Sequence, residues 1–213
     1  MDLSCSHITE EKVDGAISTM EKQERALDSR LMNLPAELRE QIYLLLVVKP
    51  QNTVTMLSNY NCYRSEVSAC QPTISFVSRQ LRKETLPLFY GNNLFMAEIT
   101  QIVDLEIAKR WLNAIGDENV KSLRRLAICG WTRIPFGHMV SKRWVRIVLD
   151  LKNGTIEVEG TGSEAGQYSS TIAAIEQLKA SFLKMVESRD GLNFDVESLE
   201  TFLDGFHGLC AVY

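Results

Sequence analysis

The chain has little of what usually marks chemistry. It carries three histidines and five cysteines in 213 residues, and no apolar run approaches the ~20 residues that span a bilayer. The cysteines (Cys5, Cys62, Cys70, Cys129, Cys210) are odd in number, scattered and without a C-x-x-C pair. That spacing speaks against a disulfide framework or a zinc site and favours reduced, structural thiols. The start, "MDLSCSHITEEK", lacks the basic, apolar and small-residue zones of a signal peptide. An intracellular protein, cytoplasmic or nuclear and without a membrane role, is the expectation.

Catalytic signatures are missing too. Cys210 follows His207 by three residues and Cys129 precedes His138 by nine, but neither pair has an activating context. No G-x-S-x-G elbow presents a serine. "GTGSEAG" is rich in glycine but lacks the Lys-Ser/Thr of a phosphate loop, and H-E-x-x-H is absent. No catalytic, cofactor or metal residue is therefore assigned, and a non-enzyme is expected.

What is present is a globular composition, 45% hydrophobic and 23% charged, with an uneven charge distribution. Residues 121–152 hold eight cations (Lys121, Arg124, Arg125, Arg133, Lys142, Arg143, Arg146, Lys152) against Asp150 alone, a local balance of +7. Residues 153–213 hold ten acids against three cations, a balance of −7. Such blocks either meet inside the fold or face charged partners. Trp131, Phe136, His138 and Trp144 are interleaved with the cations. Arg124, Arg125, Arg133, Lys142, Arg143 and Arg146 are accordingly the candidates for an anionic partner or nucleic acid.

Residues 1–30 read as a polar lead-in, disordered or a frayed helix. The spacing then predicts a helix that opens at Leu34-Pro35, with Leu34, Leu38, Ile42 and Leu45 or Leu46 along one apolar stripe. "NTVTML" is β-prone. A second helix is expected over 74–86, with Ile74, Val77, Leu81 and Thr85 on its inner face, weakened at Pro87 and followed by a turn at 91–93. A third spans about 101–115 and stops at Gly116, with Ile102, Leu105, Ala108, Trp111, Leu112 and Ile115 inward. "LRRLAIC" follows as a buried strand. In "WVRIVLDLKNGTIEVEG" Val145, Ile147, Leu149 and Leu151 alternate, and a two-residue Asn153-Gly154 turn would set Leu151 opposite Ile156. Helices at 171–189, with Ile172, Ile175, Leu178, Phe182 and Val186 inward, and at 196–203, capped by Asp195, complete the chain. The fold class is α+β. A single domain over 31–213 packs helices on a small, mainly antiparallel sheet that includes a 145–159 hairpin; 31–95 carries a paired motif, and 96–213 a helix, hairpin and helix.

The paired motif is "LPAELREQIYLLL" (34–46) with "ISFVSRQLRKETLPLFYGNNLF" (74–95). It resembles the fungal F-box-like proteins with E-x-R motifs, in which L-P-x-E-L-R-x-x-I-Y precedes R-Q-x-R-x-E-x-L-x-x-F-Y-G-x-N-x-F. The matching residues are Leu34, Pro35, Glu37, Leu38, Arg39, Ile42 and Tyr43, then Arg79, Gln80, Arg82, Glu84, Leu86, Phe89, Tyr90, Gly91, Asn93 and Phe95. The likeness covers about residues 31–130. It implies an interaction protein that docks a Skp1-type adaptor of a cullin ubiquitin ligase and recruits a substrate with its remainder. Leu34, Pro35, Leu38 and Ile42 would face the adaptor or pack the helical unit. Independently of the family, Arg39, Arg79 and Arg82 can pair with Glu37 or Glu84, while Phe89 and Tyr90 fill a helix–strand junction, making the motif a clasp that holds the fold.

Overall fold

The computed structural model describes residues 30–49, 53–56, 69–136, 139–159, 169–188 and 194–211. The lead-in up to residue 29, His7, His138, Gly191 and 57–68 lie outside them. The chain forms two compact units, 1–42 and 43–213, and the division falls within helix α1 (Ala36–Val47).

In the first unit a turn over 31–34 leads into α1. The Pro35 carbonyl accepts from the amides of Leu38 and Arg39, both at 3.1 Å. Proline suits this place because its missing N–H would have had no partner in the first turn. Arg39 Nη1 donates to the carbonyls of Leu34 at 2.7 Å and Met32 at 3.5 Å, holding the turn against the helix start.

The second unit is α+β. It contains strand β1 (Thr53–Thr55), a 3-10 turn (Thr73–Phe76), helix α2 (Arg79–Asn92), β2 (Leu94–Glu98), α3 (Ile102–Val120), β3 (Arg125–Phe136), β4 (Met139–Asp150), β5 (Thr155–Glu159), α4 (Ser169–Ser188) and α5 (Val196–Ala211). The sheet order is β1-β2-β3-β4-β5. Two crossovers, through α2 and α3, make β1–β2 and β2–β3 parallel, and two hairpins make the longer β3–β4 and β4–β5 ladders antiparallel. The sheet is thus mixed.

One sheet face is the core. Phe95, Ala97, Leu126, Ile128, Val145, Ile147 and Leu149 alternate onto it and are buried. Against them pack Leu105, Ala108 and Leu112 of α3, Phe182 of α4, and Leu199, Phe202 and Phe206 of α5. At Gly130 a Cβ would collide with the Ile99 carbonyl oxygen and crowd the Phe206 ring at 3.2 Å, so glycine is required by the backbone beyond β2 and also eases the approach of α5.

Several elements depart from expectation. The second helix starts at Arg79, not at 74, because the Ser78 hydroxyl caps it by accepting from the Leu81 amide at 3.1 Å. Val77 is consequently 71% exposed in the preceding turn rather than on the inner face. The helix runs through Pro87 to Asn92. Pro87 removes one amide from the helix ladder, but Pro87 and Lys83, the residue whose carbonyl loses that partner, are both exposed, so water can replace the bond. Ile102 is exposed, since it occupies the first turn of α3. Gly116 does break α3, at φ 72° and ψ 166°, and a further turn reaches Val120.

The hairpin register is slipped by two residues from the expected one. Leu149 pairs with Ile156 and Ile147 with Val158, leaving a four-residue turn, Leu151–Gly154. Asp150 selects it: its carboxylate accepts from the Asn153 amide (2.8 Å) and side chain (3.0 Å), and its carbonyl accepts from Gly154. Leu151 leaves the ladder to donate its amide to the Arg124 carbonyl at 2.7 Å. A slip of two keeps every side chain on its face. The stripe of α4 faces inward as expected at Ile175, Leu178 and Phe182, and Asp195 caps α5, accepting from the Ser198 amide at 2.8 Å. α5 nevertheless continues to Ala211 through Gly205 and Gly208.

Candidate interaction surfaces

The downstream half of the motif builds a closed junction. Asn93 is fully buried, yet every polar atom of its side chain is engaged. Its Nδ2 donates to the Val47 carbonyl (3.0 Å) and the Phe89 carbonyl (2.8 Å), and its Oδ1 accepts from the Lys49 amide (2.9 Å). One amide therefore serves the carbonyls of two helix C-terminal turns, groups with no partner inside their own helices. Around it Phe89 meets Tyr90 and Phe95 edge-on at 5.1 and 5.3 Å, and Trp111 lies 5.1 Å from Phe95. The Trp111 indole donates to the Ala69 carbonyl at 3.0 Å. Burial pushes the Tyr90 phenol above its usual pKa, against an opposing effect from the Gln71 side chain.

The polar motif residues take various partners. Glu84 accepts from the Tyr43 hydroxyl at 2.8 Å with one oxygen and from Gln80 at 3.0 Å with the other. Arg82 donates to the Ser75 carbonyl at 2.9 Å and lies over the Phe76 ring at 5.6 Å. Arg79 and Glu37 are exposed. Asn93 is a motif match and Trp111 an expected inward residue; the hydrogen bonds that each makes in the junction are what the sequence pattern does not show.

The upstream half behaves differently. Tyr43 and Val47, one turn apart on α1, are buried. Leu38, Leu45 and Leu46 point elsewhere around the helix and are exposed at 46%, 85% and 54%. Leu34 and Ile42 are half-buried, and Pro35 is exposed.

The basic block is divided by the sheet. At its sheet end the cations meet acids: Arg146 bonds Glu159 at 3.0 Å, and Arg124 lies 3.6 Å from Asp150. Arg125 is the register partner of Asp150 and is half-buried. Beyond this, β2 pairs with β3 only as far as Cys129, and β5 pairs with β4 only from Arg146. Among the described residues, Trp131–Phe136 and Met139–Trp144 therefore pair only with each other. Arg133 and Lys142 are register partners in this ribbon, as are Thr132 and Arg143. Lys142 is exposed and Arg143 half-buried.

A cavity of about 440 Å³ opens where α2 and α3 end, lined in part by Gly91, Lys121, Arg124, Leu151, Lys152 and Phe194. Its cations have a local explanation, since helix C-termini carry partial negative charge. Lys121 also bonds Glu118 at 2.6 Å.

Burial pushes the Cys210 thiol up to about 12, which keeps it protonated at neutral pH. Cys129 is buried, its thiol donating to the Ala97 carbonyl at 3.7 Å. Among the described residues no group of three or more His, Cys, Asp or Glu side chains is placed to hold a metal ion, and no helix is long and apolar enough to cross a membrane. Comparison with protein-family models, with curated proteins and with solved structures finds no match.

Proposed function

We propose that the chain is a non-enzymatic protein-interaction module, F-box-like, that docks a Skp1-type adaptor of a cullin ubiquitin ligase through Leu34, Pro35, Leu38 and Ile42 of the α1 segment. The observation that carries this reading is the outward leucine of α1. Leu38 is 46% exposed on a helix whose Tyr43 and Val47 already supply buried contacts. A helix that is apolar beyond its buried face has surface left over for a partner. The sequence likeness of 34–46 and 74–95 to F-box-like proteins supplies the partner's class. Arg39 and Pro35 add a defined helix start, so the docking residues are presented without being ordered on binding.

The test is co-purification of the full chain with a Skp1-type adaptor. Capture is expected for the unaltered protein and loss of capture for Leu38→Asp, with the melting temperature unchanged within about 2 °C. Lys83→Glu, an exposed change on α2, should retain capture. If the adaptor is not captured, or Leu38→Asp abolishes capture only by unfolding the chain, the ligase reading fails.

A further inference from the structure

We propose that the face of the β3–β4 ribbon carrying Trp131 and Trp144 binds single-stranded nucleic acid, with a base stacked on Trp131 and a phosphate contact from Lys142.

The first observation is the separation of charge along the hairpin. Between Gly130 and Val145 the chain has Arg133, Lys142 and Arg143 and no acidic residue. The acids that balance the sheet end stop where the ribbon begins: Glu98 is the register partner of Cys129, and Glu159 of Arg146. The row Glu98–Cys129–Arg146–Glu159 is therefore acidic on balance, the next row on that face is Trp131–Trp144, and the next is Arg133–Lys142. Rows on one face lie about 7 Å apart, so an aromatic platform is followed within one step by a doubly cationic one. The net charge of −4 belongs to other parts of the molecule.

The second observation is the aromatic pair. The Trp131 and Trp144 rings pack edge to face, with centroids 5.1 Å apart and an interplanar angle of 66°. Trp131 remains 47% exposed despite this contact. Its ring is thus held in place by a neighbour while still open to a ligand. The Thr132 hydroxyl donates to the Arg143 carbonyl across the ribbon at 3.3 Å, which adds to the ladder there.

An indole followed by cations suits a chain that alternates flat bases with phosphates. Duplex DNA presents its phosphates outward and keeps its base faces stacked, which would leave Trp131 without a role. An acidic peptide would use the cations and leave the indole idle. The acidic row beside Arg146 closes one side of the platform to a phosphate, so the bound strand should leave across the Arg133–Lys142 row. This inference stands apart from the α1 reading, and its failure would leave that reading untouched.

The experiment is a fluorescence titration of the full chain with a 12-nucleotide oligo-dT. Saturable tryptophan quenching is expected, with affinity falling as salt rises on a negative log–log slope of at least about 0.7 in magnitude, as one phosphate contact from Lys142 implies for a single strand. Trp131→Ala should weaken binding about tenfold, Trp131→Phe should largely restore it, and Lys142→Glu should both weaken binding and flatten the salt slope. Lys152→Glu, outside the ribbon, should bind normally. Circular dichroism melting establishes that each variant is folded. Absence of saturable quenching, indifference to both Trp131→Ala and Lys142→Glu, or equal affinity for a duplex of the same length or for polyglutamate would each overturn the proposal.

Discussion

The two halves of the motif differ in how far their apolar residues are buried. In the downstream half, Phe89, Tyr90, Asn93 and Phe95 are all buried, and the polar atoms of the Asn93 side chain are spoken for by backbone groups. In the upstream half, Leu38, Leu45 and Leu46 are exposed although leucine ranks among the residues most often found inside. Two segments read as one signature thus answer to different physics. The downstream residues are specified by the requirements of a packed interior, where each shape and each hydrogen bond is fixed. The upstream leucines are not needed by that interior, and a function that requires them must lie outside it.

The contrast can be broken most severely at Phe89. Phe89→Ala empties a site touched by Tyr90 and Phe95 and should cost about 3–5 kcal/mol of unfolding free energy in denaturant titration. Asn93→Ala comes next. It leaves the Val47 and Phe89 carbonyls and the Lys49 amide without their partner, and a loss of about 3 kcal/mol is expected by the same measurement. A loss within 0.5 kcal/mol of zero, on the order of an ordinary surface change, would show that water replaces the asparagine and that the junction is not closed.

A smaller effect is set by pH. Because burial raises the Tyr90 phenol pKa in the folded chain, folded and unfolded states bind the proton equally at neutral pH. As pH rises past the ordinary phenol value, near 10, the unfolded chain ionises first and stability falls. Tyr90→Phe should remove part of that alkaline loss, seen as a shallower fall of melting temperature between about pH 9.5 and 11. The smallest effect belongs to the outward side: Leu45→Ala should change stability by under about 0.5 kcal/mol. A loss above about 2 kcal/mol would place Leu45 in a core and dissolve the comparison.

Local patterns carried the sequence reading where one face or one cap decided the outcome. Val145, Ile147 and Leu149 alternate because the sheet needs them to, Gly116 breaks α3 because its φ is positive, and Asp195 caps α5 with its own carboxylate. The reading failed where a distant or competing contact took over. Asp150 binds Asn153 and converts a two-residue turn into four. Pro87 and Gly205 look like interruptions; Pro87 is solvent-facing, and a Cβ at Gly205 would come within 2.9 Å of Leu178, so its glycine serves helix packing. Pro135 sits in β3 where β2 no longer pairs, an edge position that needs no amide. The direction of Leu38 could not be read at all, since the same leucine suits a core and an interface equally.

The buried amide of Asn93 has a consequence in time as well as in energy. It joins the last turn of α1, the last turn of α2 and the entry to β2 through a single side chain. Fraying at any one of these ends frees the side chain on which the other bonds depend, so the ends should open together rather than one by one. The Lys49 amide, which lies beyond its helix and would ordinarily exchange with solvent quickly, becomes a reporter of that joint opening. Its exchange rate then measures how often the whole junction comes apart.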